Sequence, residues 1–201
     1  MQTVNKRNFL LSSAAWASLA APGVALAQAG AVKPLAGPGL LTVTGAIGKG
    51  NRGAFDPVRD QMMGKLKLGF DKAQVFDFAA LVAMPAVTIK PTLEYDGKVH
   101  TLKGPLLTDV LKAAGVTAGD SAKLAMRAVD GYSPEISLAD ARKYRYIVAT
   151  HMDGAPMNLG GLGPLWALYE PDKFADMAAK TLPDRFANCP WALFSIEVKA
   201  G

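Results

Sequence analysis

From residue 40 the chain is a succession of short apolar and polar alternations. Leu40 to Ile47 alternates and is rich in β-branched residues, which predicts a strand. Gly48 to Gly53 follows as a flexible loop that lacks the G-x-x-x-x-G-K-[ST] spacing of a phosphate-binding loop. Residues 56–66 read as a short helix, and 76–85 as a strand or turn entering one helical turn that Pro85 stops. Val87 to Lys90 is an expected strand. Leu93 to Tyr95 and Lys98 to Leu102 are expected to form a hairpin, because the Asp96-Gly97 pair between them suits a two-residue turn with positive φ. Leu106, Leu107, Val110, Leu111 and Ala114 recur at helical spacing, and Gly115 ends that helix. Further strands are expected at Lys123–Val129 and Tyr146–His151, with a short helix starting at Ser137 and a turn at Asp153-Gly154. The stretch GPLWALYEP, residues 163–171, reads as a short strand leaving a tight turn, and Trp191–Val198 as a closing strand. Many short strands with few, short helices predict an α+β fold, mostly β, rather than a parallel βαβ sheet.

Residues 1–27 carry the three parts of a secretory signal peptide. These are Lys6-Arg7, the apolar run Phe9–Ala21 and a small-x-small site at Ala25 and Ala27. The run is too short to span a bilayer. Lys6-Arg7-Asn8-Phe9-Leu10 is also close to a twin-arginine export signal, which leaves the export route open. Residues 28–39 are rich in Gly, Ala and Pro and read as a linker, and 40–201 as one domain. The expected location is the periplasm.

Net charge is +5, and removing Lys6 and Arg7 with the signal leaves +3, too mild to argue for nucleic acid. Cys189 is the single cysteine, so no internal disulfide can form and stability must come from the core. His100 and His151 have no companion Cys or clustered carboxylates, so no metal site is expected. Neither a nucleophile elbow nor a catalytic triad spacing is present. Several residues admit two readings from the sequence. Trp166 is either core or a flat platform for a flat ligand, and Asp130 either binds a ligand or shapes its own Asp-Gly turn. Tyr132 either lines a site or ties its hydroxyl to backbone. His151 is either at a pocket rim or at a solvated strand end, and Arg127, alternating with apolar neighbours, is a further pocket candidate. Trp191 reads as core, and His100 as exposed in the hairpin.

In order and spacing, LTVTGAI, FDFAALVAMP, LKGPLLTDVL, AVDGYSPEIS, YIVATHMDGAPM, GPLWALYEP and CPWALFSIEV resemble the sulfite oxidase-like, molybdopterin-binding domain family from about Leu40 to Val198. The resemblance implies that fold. In the family's enzymes a cysteine thiolate after the third expected strand ligates molybdenum; the matching stretch here, Ile89 to Glu94, has no Cys. Trp166 stands where those enzymes carry an Arg, and Pro190 where they carry a basic residue, positions that hold the phosphate end of the molybdenum cofactor. The resemblance therefore implies a branch that binds a reduced pterin without molybdenum and without catalysis of its own. Trp166 would be the stacking platform, Asp130 the carboxylate facing the pterin N–H groups, and Tyr132, His151 and Arg127 the remaining lining. The partner implied is a membrane-bound signalling protein with a periplasmic domain, of the cyclic-di-GMP enzymes. The alternatives are a molybdenum-cofactor oxidoreductase or its accessory subunit, and a ligand-free interaction module.

Overall fold

The computed structural model describes residues 35–201. The signal peptide and all but the last five residues of the linker lie outside the described residues. Along β1 (Gly39–Gly45) Leu41 and Val43 enter the core and Thr42 and Thr44 face the opposite side, as a period of two demands. α1 (Gln61–Lys65) is shorter than the helix expected over 56–66, because the chain first makes a turn around the Asp56 carboxylate, which accepts from the Val58 and Arg59 N–H groups. β2 (Gln74–Asp77) runs directly into α2 (Phe78–Val82). Asp77 caps that helix, its Oδ1 accepting from Ala80 N at 2.7 Å while its Oδ2 accepts from Ala36 N and Gly37 N. One carboxylate thus starts a helix and ties the end of the linker to the sheet.

β3 (Ala86–Ile89) pairs with β4 (Leu102–Pro105), and α3 (Leu107–Ala113) follows with Leu107, Val110 and Leu111 buried. Gly115, at φ 75°, ends α3 in the left-handed conformation that a glycine adopts without strain. β5 (Lys123–Ala128) and β6 (Glu135–Ser137) lead to α4 (Leu138–Lys143), capped by Ser137. The strand expected over 146–151 is split into β7 (Ile147–Ala149) and β8 (His151–Met152), with Thr150 between them bonded to the Lys103 carbonyl. β8 turns back at Asp153-Gly154 into β9 (Ala155–Pro156). β10 (Trp166–Leu168), a 3-10 turn at Pro171–Lys173, the short helices α5 (Ala175–Ala178) and α6 (Leu182–Arg185), and β11 (Leu193–Lys199) complete the chain.

Five strands form the main sheet in the order β2-β1-β11-β5-β6, in which only β1 and β11 are parallel. A second sheet runs β3-β4-β8-β9, and β7 pairs with β10. The fold is α+β, sheet-rich with few short helices, as expected. Among the described residues no helix is long and apolar enough to cross a membrane.

The hairpin expected over 93–102 does not form as two strands. It shrinks to one bridge, Thr92 with Val99. Leu93 is 1% exposed, and burying it turns the chain inward. The arms still pair around the expected turn, Leu93 N donating to the Lys98 carbonyl at 2.9 Å and His100 N to the Pro91 carbonyl at 3.1 Å, while Gly97, at φ 67°, donates its N–H to the Leu93 carbonyl and closes the turn.

β4 crosses β7 at very short range. A Cβ added at Gly104 would lie 1.9 Å from the Val148 carbonyl oxygen, a backbone atom that cannot swing aside. Gly104→Ala should therefore abolish soluble expression or lower the thermal midpoint by more than about 10 °C. Gly119→Ala, which meets no atom within 4 Å, should leave the midpoint within about 2 °C. Parallel melts of the two variants check this.

Candidate functional site

The loop of residues 91–100, the turn at 130–132 and the segment 186–192 converge on one surface. Tyr95 and Tyr132 are 55% and 49% exposed there. Burial of the rest of the Tyr95 ring, and then the neighbouring Glu94 carboxylate, push its phenol up to about 12, and the Trp191 side chain lies within hydrogen-bonding reach of the same hydroxyl. The Tyr132 phenol is raised by burial first, with Cys189 and Glu94 adding to the shift, so these groups share one electrostatic neighbourhood. Tyr132 donates its hydroxyl to the Ala187 carbonyl. Ala192 adopts φ 47° just after Trp191, and its carbonyl accepts from Val129 N at 3.1 Å, which fixes the last segment against the 130–132 turn.

Beneath this surface lies Trp166. Its exposure is 1%, its Nε1 donates to the Cys189 carbonyl at 2.8 Å, and the Tyr95 and Phe186 rings stand 6.3 Å away on tilted planes. A stacking platform needs an open face, and Trp166 has none in this arrangement. Its place is in the core, under the aromatics that do reach the surface.

Of the other candidates, Tyr132 shares the 186–192 segment with it, while Asp130, His151 and Arg127 are engaged elsewhere. Asp130 uses Oδ1 to accept from Tyr132 N at 2.9 Å, so it shapes the turn that presents Tyr132. His151 is half-buried on β8, 2.9 Å from the Thr150 hydroxyl and 5.7 Å from the Phe78 ring. Arg127 lies on the opposite face of the main sheet from the core, where it lines a separate polar cavity. Three residues that the sequence did not single out as ligand contacts, Glu94, Tyr95 and Trp191, belong to the same neighbourhood as Tyr132. Glu94 was visible only as an occupant of the missing-cysteine stretch. Tyr95 was hidden by the hairpin reading, and Trp191 by its place in an alternating strand.

Cys189 offers no soft donor to a metal. It is 4% exposed, its Sγ faces the Tyr146 hydroxyl at 3.9 Å, and burial pushes the thiol up to about 12. The residues present, Thr92 and Glu94 on one side and a buried neutral thiol on the other, do not fit the ligation of a molybdenum cofactor.

Among solved structures the chain is similar to the sulfane dehydrogenase SoxCD from Paracoccus pantotrophus, with a TM-score of 0.51 and 11% identity. The likeness is one of fold. It covers 80% of this chain and 38% of that one, so this chain spans well under half of its neighbour's length. No family model matches the chain, and no curated protein does.

The loop that carries Glu94 and Tyr95 is held by His100. This side chain is half-buried rather than exposed, with Nδ1 2.7 Å from Asp153 Oδ2 and Nε2 3.0 Å from Asp96 Oδ2. Two carboxylates can only accept, so both contacts are full hydrogen bonds when the ring is the imidazolium. The Asp153 bond first, and the Asp96 bond next, raise the His100 pKa above 6.5. Its contribution is thus fully present below 6.5 and is lost as pH rises through the folded value. Asp96 is lowered chiefly by the Lys98 N–H and Asp153 chiefly by His100. Their contributions hold above 3.8 and fade as pH falls through the folded values.

Two outcomes follow for measurement. The thermal midpoint should decline as pH rises above 6.5 through the raised folded value of His100 in the native chain and stay flatter in His100→Gln; identical slopes would remove the clamp. Trp166→Ala should lower stability by about 3–5 kcal/mol, a midpoint drop on the order of 10 °C, and a variant that melts like the native chain would return Trp166 to a cavity wall.

Proposed function

We propose that the chain is a non-catalytic pterin-binding protein with a sulfite oxidase-like fold, exported to the periplasm, that reports ligand status to a membrane-bound cyclic-di-GMP enzyme. The observation that carries the reading is the chemistry of the converging loops. Where a thiolate would be needed for molybdenum there is the Glu94–Tyr95 pair, and the only cysteine is buried and neutral. Glu94 offers a carboxylate to adjacent N–H and NH₂ donors of a pterin ring, and Tyr95, Tyr132 and Trp191 offer aromatic faces beside it. The ordered motifs from Leu40 to Val198 and the likeness to a sulfane dehydrogenase support the fold part of the reading. That same likeness favours a second reading, an oxidoreductase or its subunit, because the neighbour is a dehydrogenase.

Calorimetry with a tetrahydropterin and its oxidised counterpart, on protein purified from the periplasm, tests the first reading. The tetrahydropterin should bind, and Glu94→Gln and Tyr95→Ala should each weaken it at least about tenfold, or about 1.4 kcal/mol. Glu94→Gln, which keeps the side chain's shape, should leave the thermal midpoint within about 2 °C, and a melt of Tyr95→Ala, whose ring stands 6.3 Å from Trp166, separates lost stability from lost binding. Absence of binding at millimolar pterin, or near-stoichiometric molybdenum in the purified protein, would end this reading; the metal would establish the second.

A further inference from the structure

The main sheet buries one face and turns the other, polar face toward the segment 51–72. Between that face and residues 63–70 lies a cavity of about 180 Å³. Its floor is set by strand register. Thr44 pairs with Glu197 across β1 and β11, and Ser195 pairs with Arg127 across β11 and β5, so all four side chains project to the same side. Lys67 stands at the rim, at φ 57°, just beyond the end of α1. Met63 and Phe70 supply the apolar part of the roof.

The polar groups of this cavity are unspent. Among the described residues no salt bridge involves Arg127, Lys67 or Glu197, and Lys199, which feels the charge of Glu197, is paired with Glu135 at 2.8 Å. Arg127 and Glu197 are diagonal neighbours on the sheet, their Cα positions about 7–8 Å apart by strand geometry, and both line the cavity without forming an ion pair among the described residues. Thr44 and Ser195 are each 6% exposed, and no side-chain hydrogen bond to either is present among the described residues. No fully buried polar side-chain atom is left without a partner, so both hydroxyls face the cavity itself.

We propose that this cavity binds a small monocarboxylate with a hydrogen-bond donor on the adjacent carbon, an α-amino or α-hydroxy acid. The guanidinium of Arg127 takes the carboxylate with its fork of donors, Lys67 adds a second positive charge at the rim, and Glu197 accepts from the α-donor. The Ser195 and Thr44 hydroxyls complete the bonds to the ligand, and a short apolar side chain lies against Met63 and Phe70. Two cations against one carboxylate select an acid over an amine. The volume limits the ligand to a few carbons. This site is separate from the Tyr95–Tyr132 surface and stands independently of the pterin reading.

Titration calorimetry on the full chain with alanine, lactate, propionate and propylamine tests the assignment. Alanine or lactate should bind at least about tenfold more tightly than propionate, and propylamine should not bind. Which of the two binds more tightly identifies the α-donor. Arg127→Gln should weaken the favoured acid at least about tenfold, and Lys67→Gln, at an exposed position, about threefold. Glu197→Ala, which removes the acceptor, should erase the preference over propionate while keeping propionate affinity. Tetrahydropterin binding should be unchanged in all three. Failure of every acid to bind at about 10 mM, equal binding of propionate, or insensitivity to both Arg127→Gln and Lys67→Gln would each overturn the proposal.

Discussion

The parallel pairing of β1 with β11 is the contact on which the rest of the structure depends. Thr42 to Gly45 lie alongside Ser195 to Val198, so the first and last strands of the domain sit side by side within the main sheet. That closure joins residues about 150 positions apart and costs loop-closure entropy that only a large burial offsets. The burial comes from Leu41, Val43, Ile196 and Val198, which the register sends together into the core. The same register sends Thr44, Ser195 and Glu197 to the other face. A slip of one residue in β11 would exchange the two faces, burying Glu197 and Ser195 and exposing Ile196 and Val198.

The candidate surface is built on that core. Trp166 on β10 bonds the Cys189 carbonyl, Tyr146 stacks on Tyr169 at 4.8 Å, and Cys189 lies against Tyr146. This aromatic layer holds the 186–192 segment from below, and the segment in turn supports Tyr132 through Ala187 and offers Trp191 to Tyr95. The 91–100 loop is fastened separately. Thr92 N donates to Asp172 at 2.9 Å, and His100 bridges Asp96 and Asp153. The loop that carries Glu94 and Tyr95 is thus anchored in the core at Leu93 and tied at its surface side by charged bonds.

Local chemistry made much of the fold legible. Alternation marked β1, β5 and β11 to within a few residues, helical spacing and Gly115 marked α3, and Ser137 stood where a cap belongs. The 93–102 hairpin is present only in shortened form, its turn signal real and its arms paired through Thr92 and Val99, with Leu93 serving the core and the pairing at once. The helices α5 and α6 lack the repeated apolar spacing that would announce them, being four residues each.

By itself the sequence determined the α+β character, the position of most strands and the absence of a cysteine in the Ile89 to Glu94 stretch. It also placed Arg127 out of phase with its buried neighbours, since a period of two is a property of the local chain. Tertiary structure alone decided that Trp166 is covered, that Glu94, Tyr95, Tyr132 and Trp191 meet, and that Arg127 and Glu197 share a cavity. Those outcomes depend on which strands pair and in what register, and on what lies over each ring. Pairing and cover join residues far apart in the chain, and no local pattern of residue types encodes them.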